Sequence, residues 1–434
     1  MRKAARILPL PIVFLVFATV VSATPAASAP DAQLLERAKA LLAAAPLIDT
    51  HNDLPTMLLE TNGGDLTPFD LSRPQSKLCA DVPRLHEGRV GAQFWSIWVD
   101  SGTAGTHTAG REALREFDVA LRFIRATPEF ELAKSADDIE RIHREAGQAP
   151  ETGKSGHIAA LLGVEGGHMI ENSAASLRIF YELGARYMTL THWDTIDWAD
   201  AATDRAEHDG LTELGEKFVG EMNRLGMFVD ISHVSAETMR DVLRVSKAPV
   251  IFSHSNSFAI DPHPRNVPDD VLASLAKNGG VISVNFINDF VSPADPAWQA
   301  RRKIALEDLR AGLDDEKAIT DGIAAWEKTN PHPKATIADV ADHIDHIRKV
   351  AGIDHIGIGS DFYSVDPLAM VQGLDEPSKY PDLFAELLRR GYSDEDVQKI
   401  AGRNLLRAMH QMERVATELQ KTQRPLITDA PVAK

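Results

Sequence analysis

Hydrophobic and polar positions along the chain alternate between short apolar runs and longer amphipathic stretches. The short runs predict buried strands, and the stretches with apolar residues three or four apart predict helices. Eight apolar runs are present: Leu47 to His51, Gly91 to Val99, His157 to Glu165, Arg186 to His192, Met227 to Ser232, Pro249 to His254, Val281 to Phe286 and His355 to Asp361. Strands that alternate with helices predict a parallel sheet. Eight of them predict an α/β fold with a single (β/α)8 TIM-type barrel.

The same pattern predicts the domain organisation. We expect a signal peptide at residues 1–23, a linker and N-terminal helix at 24–45, one barrel domain at 46–418 and a polar C-terminal tail at 419–434. A long charged stretch near 292–334 is expected to be an insertion between the seventh and eighth strands.

The first residues have the pattern of a secretory signal. A basic start at Met1 to Arg6 precedes an apolar run from Ile7 to Val21, and a small-residue cleavage site ends at Ala23. An uncleaved anchor helix is the alternative, but the run is short for a bilayer span of about 20 residues. We therefore expect export to the periplasm or the extracellular space, without stable membrane insertion after cleavage.

Charge and cysteine content narrow the possible partners. The formal net charge is −17, and it becomes −20 once the three basic residues of the signal are removed. This balance argues against nucleic acid and anionic membrane surfaces as partners, and it favours cations.

The single cysteine, Cys79, cannot form an internal disulfide and is expected to be a buried small residue. The oligomeric state stays open, with a homodimer as one option.

Candidate chemical groups fall where the apolar runs end. In a (β/α)8 barrel the carboxyl ends of the strands meet at one mouth, where active sites of this fold lie. Six side chains end such a run or lie one residue beyond it: His51, Glu165, His192, His233, His254 and Asp361. The pattern therefore predicts one pocket that collects these groups.

Five side chains predict a metal site. His51 and Asp53 are two residues apart, so both would point the same way on an extended strand, although alone they also fit a strand-end histidine and a turn aspartate. Glu165 can bridge two ions with its two oxygens, and the two glycines after it allow close approach. His233 and His254 provide imidazole nitrogens that suit zinc. Each histidine alone is more often a core residue, but together the set predicts metal binding.

Two further groups are candidates for proton transfer and for charge stabilisation. Asp361 could accept a proton from a water molecule and pass it to a leaving amine, or it could be a structural aspartate that caps a turn. His192 could stabilise a developing oxyanion, or it could be a third nitrogen ligand.

Ten ordered motifs give the chain a resemblance to the membrane (renal) dipeptidases, from about residue 46 to 415. They are Asp49-Thr-His-Asn-Asp53, Gly91-Ala-Gln-Phe-Trp-Ser96, Val164-Glu-Gly-Gly167, Leu190-Thr-His192, Trp198-Ala-Asp200, Val229-Asp-Ile-Ser-His233-Val-Ser235, Phe252-Ser-His254-Ser255, Arg265-Asn-Val-Pro-Asp-Asp270, Val340-Ala-Asp-His-Ile-Asp-His346 and Ser378-Lys-Tyr-Pro-Asp382.

This resemblance implies two zinc ions per chain. It assigns Glu165 as the bridge, His51 and Asp53 to one ion, and His233 and His254 to the other. It also implies His192 against the scissile carbonyl, Asp361 as proton shuttle and Arg265 on the substrate's carboxylate. Two positions depart from the renal pattern: Ile287 replaces a tyrosine, and Tyr363-Ser364 replaces Asp-Gly.

The sequence thus predicts zinc-dependent hydrolysis of dipeptides, including those with a C-terminal D-residue, by a metal-bridging hydroxide. The alternative is another binuclear metal hydrolase on the same barrel, such as a lactonase, acylase or deaminase, because one fold hosts many reactions. Arg265 favours the dipeptidase, since a free carboxylate suits an arginine better than a neutral lactone does. A non-catalytic metal- or peptide-binding protein is a second alternative, which the complete ligand set with Asp361 disfavours.

Overall fold

The computed structural model describes residues 31–147, 156–313, 315–363, 365 and 369–428. The expected signal peptide, most of the linker and the end of the tail lie outside these ranges. Within them, every helix is too short or too polar to cross a membrane.

The described residues form one sheet of nine parallel strands. These are β1 Leu47–Asp49, β2 Val90–Trp98, β3 Phe130–Leu132, β4 Ile158–Glu165, β5 Ala185–Thr189, β6 Phe228–Asp230, β7 Ile251–Phe252, β8 Val281–Val284 and β9 Ile356–Ile358. Strand β2 pairs with both β1 and β4, which closes eight strands into a barrel. The predicted (β/α)8 fold is confirmed. Strand β3 pairs with the start of β4 beside the barrel and was not anticipated.

Helices surround the barrel. Their bounds are Ala32–Ala44, Leu54–Asn62, Val82–Glu87, Ala109–Ala126, Ala136–Gly147, Ala174–Leu183, Glu213–Leu225, Ala236–Val245, Asp269–Asn278, Asn288–Val291, Ala294–Gly312, Glu316–Thr329, Ile337–Val350, Tyr380–Arg389, Asp394–Gln398 and Asn404–Thr422. Two of them, Ala294–Gly312 and Glu316–Thr329, lie between β8 and β9, in the stretch expected to be an insertion. Capping boxes begin two others, at Thr336 and Ser393.

Burial on both faces explains why the strand sequences are mostly apolar rather than alternating between apolar and polar residues. All eight residues of β4 are buried. Within β4, Gly163 makes room for the ring of Tyr187 on β5, since an added Cβ would lie 1.9 Å from the ring. The ring of Tyr187 therefore packs against Gly163, and its hydroxyl reaches His51 at the mouth of the barrel.

Regular strands end earlier than the apolar runs. Strand β1 ends at Asp49, and β9 ends at Ile358. Irregular pairing continues beyond them: the amide of Asp361 donates to the carbonyl of His51 at 3.2 Å, and the amide of Asp53 donates to Phe362 at 2.9 Å. Asp53 is itself the N-cap of the next helix. His51 and Asp53 thus lie just beyond the regular part of β1, in a segment at the mouth of the barrel where Asn52 still pairs in parallel with Phe362.

Candidate metal centre

Glu165, the last residue of β4, lies at the centre of a cluster of imidazoles. Its Oε1 lies 3.0 Å from Nε2 of His233 and 3.3 Å from Nε2 of His254. Its Oε2 lies 3.4 Å from Nε2 of His51. All four side chains are buried. The two oxygens of one carboxylate therefore face two different sets of donors.

Two further carboxylates approach His51. Its Nε2 lies 3.5 Å from Oδ1 of Asp53 and 3.9 Å from Oδ1 of Asp361. This buried nitrogen has no hydrogen-bond partner among the described residues. In three overlapping sets of three residues, the possible ligand atoms all lie within 4.8 Å of one another. The sets are His51–Asp53–Glu165, His51–His254–Asp361 and Glu165–His192–His233. The donors are nitrogen and oxygen atoms, which bind divalent metal ions in proteins.

His192 lies beside this cluster, with Nε2 3.8 Å from Oε1 of Glu165. Its Nδ1 accepts a hydrogen bond from the indole Nε1 of Trp98 at 3.1 Å. Burial lowers the pKa of His192 to about 4, so the ring is neutral at ordinary pH. Burial, together with the carboxylates of Asp53 and Glu165, raises the pKa of Asp361 to about 7.

Arg265 lies fully buried beside His254. Its Nη2 donates to the backbone carbonyl of His254 at 3.3 Å, while Nε and Nη1 find no hydrogen-bond partner in the described part of the chain. The guanidinium lies over the ring of Phe290, 5.1 Å from its centroid, and 5.9 Å from that of Trp193. Burial lowers its pKa to about 10, which leaves it protonated at neutral pH. A buried cation with free donors is suited to an anionic ligand group.

A cavity of about 390 Å³ opens over the cluster. Asp53, Glu165, His192, His233 and Asp361 line its floor, and the walls include Trp98, Trp193, His263, Ile287, Phe290 and Tyr363. The two positions that depart from the renal pattern, Ile287 and Tyr363, therefore lie on the cavity wall. A cavity of this size accommodates a small molecule.

The sequence matches the family model of the membrane dipeptidases, peptidase family M19, over residues 35–423. The chain belongs to the membrane dipeptidase family. Membership supports hydrolysis of dipeptides by a metal-dependent peptidase, as the ten motifs predicted.

Solved structures share the fold. The probable dipeptidase PvdM from Pseudomonas aeruginosa superposes with a TM-score of 0.72 at 23% identity, covering 88% of this chain and 99% of its own. A metallo peptidase from Rhodobacter sphaeroides, liganded with a phosphinate mimic of the dipeptide L-Ala-D-Ala, gives 0.66 at 23% identity and covers 85% and 99%. Dipeptidase AC gives 0.66 at 24% identity and covers 85% and 98%. These similarities place this family member in the same fold as those proteins.

Sequence reasoning missed two buried aspartates that hold the strand ends in place. Oδ1 of Asp49 accepts from the amides of His51 at 3.2 Å and Ser360 at 2.9 Å, and Oδ2 accepts from the hydroxyls of Ser360 and Tyr380, both at 2.6 Å. Asp49 thereby ties the end of β1 to the end of β9. A carboxylate inside an apolar run was the signal that could have revealed it.

Asp230 has the same role at the ends of β6 and β7. Its Oδ1 accepts from the amides of Ser232 at 3.0 Å and Ser253 at 2.9 Å. Its Oδ2 accepts from the hydroxyl of Ser253 at 2.5 Å, and Oγ of Ser253 lies 2.8 Å from Nδ1 of His254. Tyr187 similarly places its hydroxyl 2.9 Å from Nδ1 of His51. These contacts orient imidazoles through the nitrogen that faces away from the centre.

Backbone geometry also aims two of the side chains. His233 and Asp361 adopt positive φ values of 67° and 64°, in the left-handed region that residues with a Cβ rarely occupy. Each lies on a strand-end turn, and each presents its side chain to the cavity. Such conformations cost on the order of 1 kcal/mol and are found where the surrounding structure enforces them.

Proposed function

We propose that this protein is an exported binuclear zinc dipeptidase that cleaves short peptides, above all dipeptides, including those with a C-terminal D-residue. The observation that carries the proposal is the position of Glu165, whose two oxygens face His51 on one side and His233 with His254 on the other. The L-Ala-D-Ala mimic bound by the Rhodobacter sphaeroides metallo peptidase supports the D-residue part.

The residues present fit two zinc ions. His51 and Asp53 would hold one ion, His233 and His254 would hold the other, and Glu165 would bridge them. The buried Nε2 of His51, which lacks a hydrogen-bond partner among the described residues, is the kind of atom that a metal ion satisfies. The carboxylates of Asp53 and Glu165 offset part of the charge of two divalent cations.

When bound, the two ions supply Lewis acidity, which polarises a carbonyl and lowers the pKa of a water molecule. Asp361 lies 3.9 Å from Nε2 of His51 and lines the cavity, where its carboxylate can take a proton from water and hand it to the departing amine. His192 lies on the same floor beside Glu165 and can stabilise the carbonyl oxygen.

Arg265 would recognise the end of the substrate. Its buried Nε and Nη1 have no hydrogen-bond partner among the described residues, and its planar fork matches a carboxylate in a bidentate manner. A dipeptide has its free carboxylate one residue beyond the scissile bond, so a fixed distance between Arg265 and the metal centre selects for length. Burial of the arginine strengthens this interaction, because water does not screen it.

A lactonase, acylase or deaminase on the same centre is the alternative function. A neutral lactone would leave the charge of Arg265 buried without a counter-ion from the substrate. The arginine therefore favours a substrate with a free carboxylate, which disfavours the lactone.

The test is turnover by the purified zinc-loaded protein on matched L,L and L,D dipeptides, their C-terminal amides and a simple lactone. We expect hydrolysis of the free dipeptides, with L,D substrates among those cleaved, and weak hydrolysis of the amides. Faster turnover of the lactone than of any dipeptide would favour the alternative.

A further inference from the structure

The contact between Trp98 and His192 determines which ring nitrogen of His192 carries the proton. The indole Nε1 lies 3.1 Å from Nδ1 of His192, and the two rings meet edge to face with centroids 5.4 Å apart. An indole nitrogen only donates hydrogen bonds, so Nδ1 of His192 is the acceptor. A neutral imidazole that accepts at Nδ1 carries its proton on Nε2.

That proton faces the metal centre. Nε2 of His192 lies 3.8 Å from Oε1 of Glu165, on the floor of the cavity. A nitrogen that carries a proton has no lone pair for a metal ion, but it donates a hydrogen bond. The sequence left two roles open for His192: a hydrogen-bond donor to the substrate and a third nitrogen ligand of the metal. The contact with Trp98 favours the donor and disfavours the ligand.

His254 provides an internal comparison around the same carboxylate oxygen. The hydroxyl of Ser253 gives its proton to Asp230 at 2.5 Å, so its oxygen can accept from Nδ1 of His254 at 2.8 Å. A proton on Nδ1 leaves the lone pair on Nε2, which lies 3.3 Å from Oε1 of Glu165. Ser253 thus favours His254 as a metal ligand, whereas Trp98 favours His192 as a hydrogen-bond donor.

We propose that Trp98 is a positioning residue that fixes His192 as its Nε2–H tautomer and keeps this ring out of the set of metal ligands. That Nε2–H donates to the substrate carbonyl is an inference that rests on the proposed function. The assignment of the tautomer does not depend on that function.

Trp98 is well placed to orient the ring. It is the last residue of β2, and its amide donates to Oε2 of Glu116 at 2.7 Å. Glu116 is fully buried in the helix Ala109–Ala126, and its Oε1 accepts from the hydroxyl of Thr56. The backbone of Trp98 is therefore held by a helix outside the barrel, which fixes the point from which the indole reaches His192.

The test is the substitution Trp98→Phe, which keeps an aromatic ring and removes the donor. Nitrogen NMR of the full-length, zinc-loaded protein with 15N-labelled histidine reports the protonation of each ring nitrogen, and the His192 signals are assigned by their loss in His192→Gln. We expect wild type to show a protonated Nε2 and an accepting Nδ1, and the variant to show a mixture of tautomers. We also expect kcat to fall about 10- to 100-fold, as for outer contacts of metal sites, with KM and zinc content near those of wild type.

Trp193→Phe is the matched control, because the Trp193 ring also lies edge to face with His192, at 5.2 Å between centroids. It should leave the His192 signals as they are in wild type. A proton on Nδ1 in the wild type, a metal-bound Nε2, or unchanged signals and kcat in Trp98→Phe would each overturn the proposal. If wild type cleaves no dipeptide, the proposed function fails while the nitrogen signals still decide the tautomer.

Discussion

Nη2 of Arg265 donates to the backbone carbonyl of His254 at 3.3 Å, which joins the proposed substrate anchor to the strand end that presents one of the imidazoles. The side chain of His254 faces Glu165, and its carbonyl faces the guanidinium. His254 thus links the proposed carboxylate-binding group to the proposed metal centre.

Replacing Arg265 with alanine should raise the KM for dipeptides by at least about tenfold, since a hydrogen bond to a charged group contributes about 1.5–3 kcal/mol. Zinc content should not change. Amidating the substrate's C-terminus should slow wild type strongly and the variant little, as steady-state kinetics can show. Arg115→Ala, on an exposed helix surface, is the control. Equal sensitivity to amidation in both proteins would mean that another group recognises the carboxylate.

We expect the activity to depend on two bound zinc ions. Elemental analysis of active protein should find two zinc ions per chain, and a chelator should remove ions and activity together. Adding zinc back should restore both. Full activity with one ion per chain would rule out the binuclear arrangement.

Glu165→Gln should weaken both sites at once, because an amide has one oxygen for two sets of donors and carries no charge. Metal titration should show weaker binding of both ions, and turnover should fall with them. Asp53→Asn is the matched control, since Asp53 faces only the His51 side and should affect mainly one ion. Two tightly bound zinc ions in Glu165→Gln would exclude a bridging role.

Asp361→Asn should keep the fold and at least one ion but lose about a hundred- to ten-thousand-fold in kcat, the usual contribution of a general acid or base. The amide cannot accept a proton from water. Circular dichroism, zinc analysis and kcat measured on one preparation would separate chemistry from folding. A loss below about threefold would assign Asp361 to structure.

His343 should make stability depend on pH. Its Nδ1 accepts from the amide of Ser257 and its Nε2 bonds the carbonyl of Val291, both at 3.0 Å, and burial lowers its pKa from 6.5 to about 4. Between these pH values the unfolded chain binds more protons, so the free energy of unfolding falls as the pH is lowered through this window. The full loss is about 3 kcal/mol.

Denaturant unfolding at pH 7 and pH 5 would measure this effect in wild type and His343→Gln at matched metal content. The variant should be less stable at pH 7 and should lose less on acidification. The same pH dependence in both proteins would show that other groups dominate.

The pattern of apolar runs predicted the closed barrel because the eight barrel strands are buried on both faces, and it placed the candidate ligands at the strand ends. It could not predict that β1 ends at Asp49. Hydrogen bonds between distant strand ends set that boundary, and Asp49 makes several of them with Ser360 and Tyr380. Strand β3 was missed because Phe130–Leu132 contains the charged Glu131 and so forms no apolar run. The role of Trp98 required a distance to a residue 94 positions away.

The left-handed conformations of His233 and Asp361 create a conflict between stability and function in protein engineering. Glycine adopts such φ values without the penalty that a Cβ brings, about 1–2 kcal/mol per residue. A library selected only for heat tolerance would therefore favour glycine at two positions, where it would remove the proposed metal donor His233 and the proposed proton acceptor Asp361. Thermal stability and turnover therefore have opposite requirements at these two positions. Engineering for thermal stability should keep both residues unchanged.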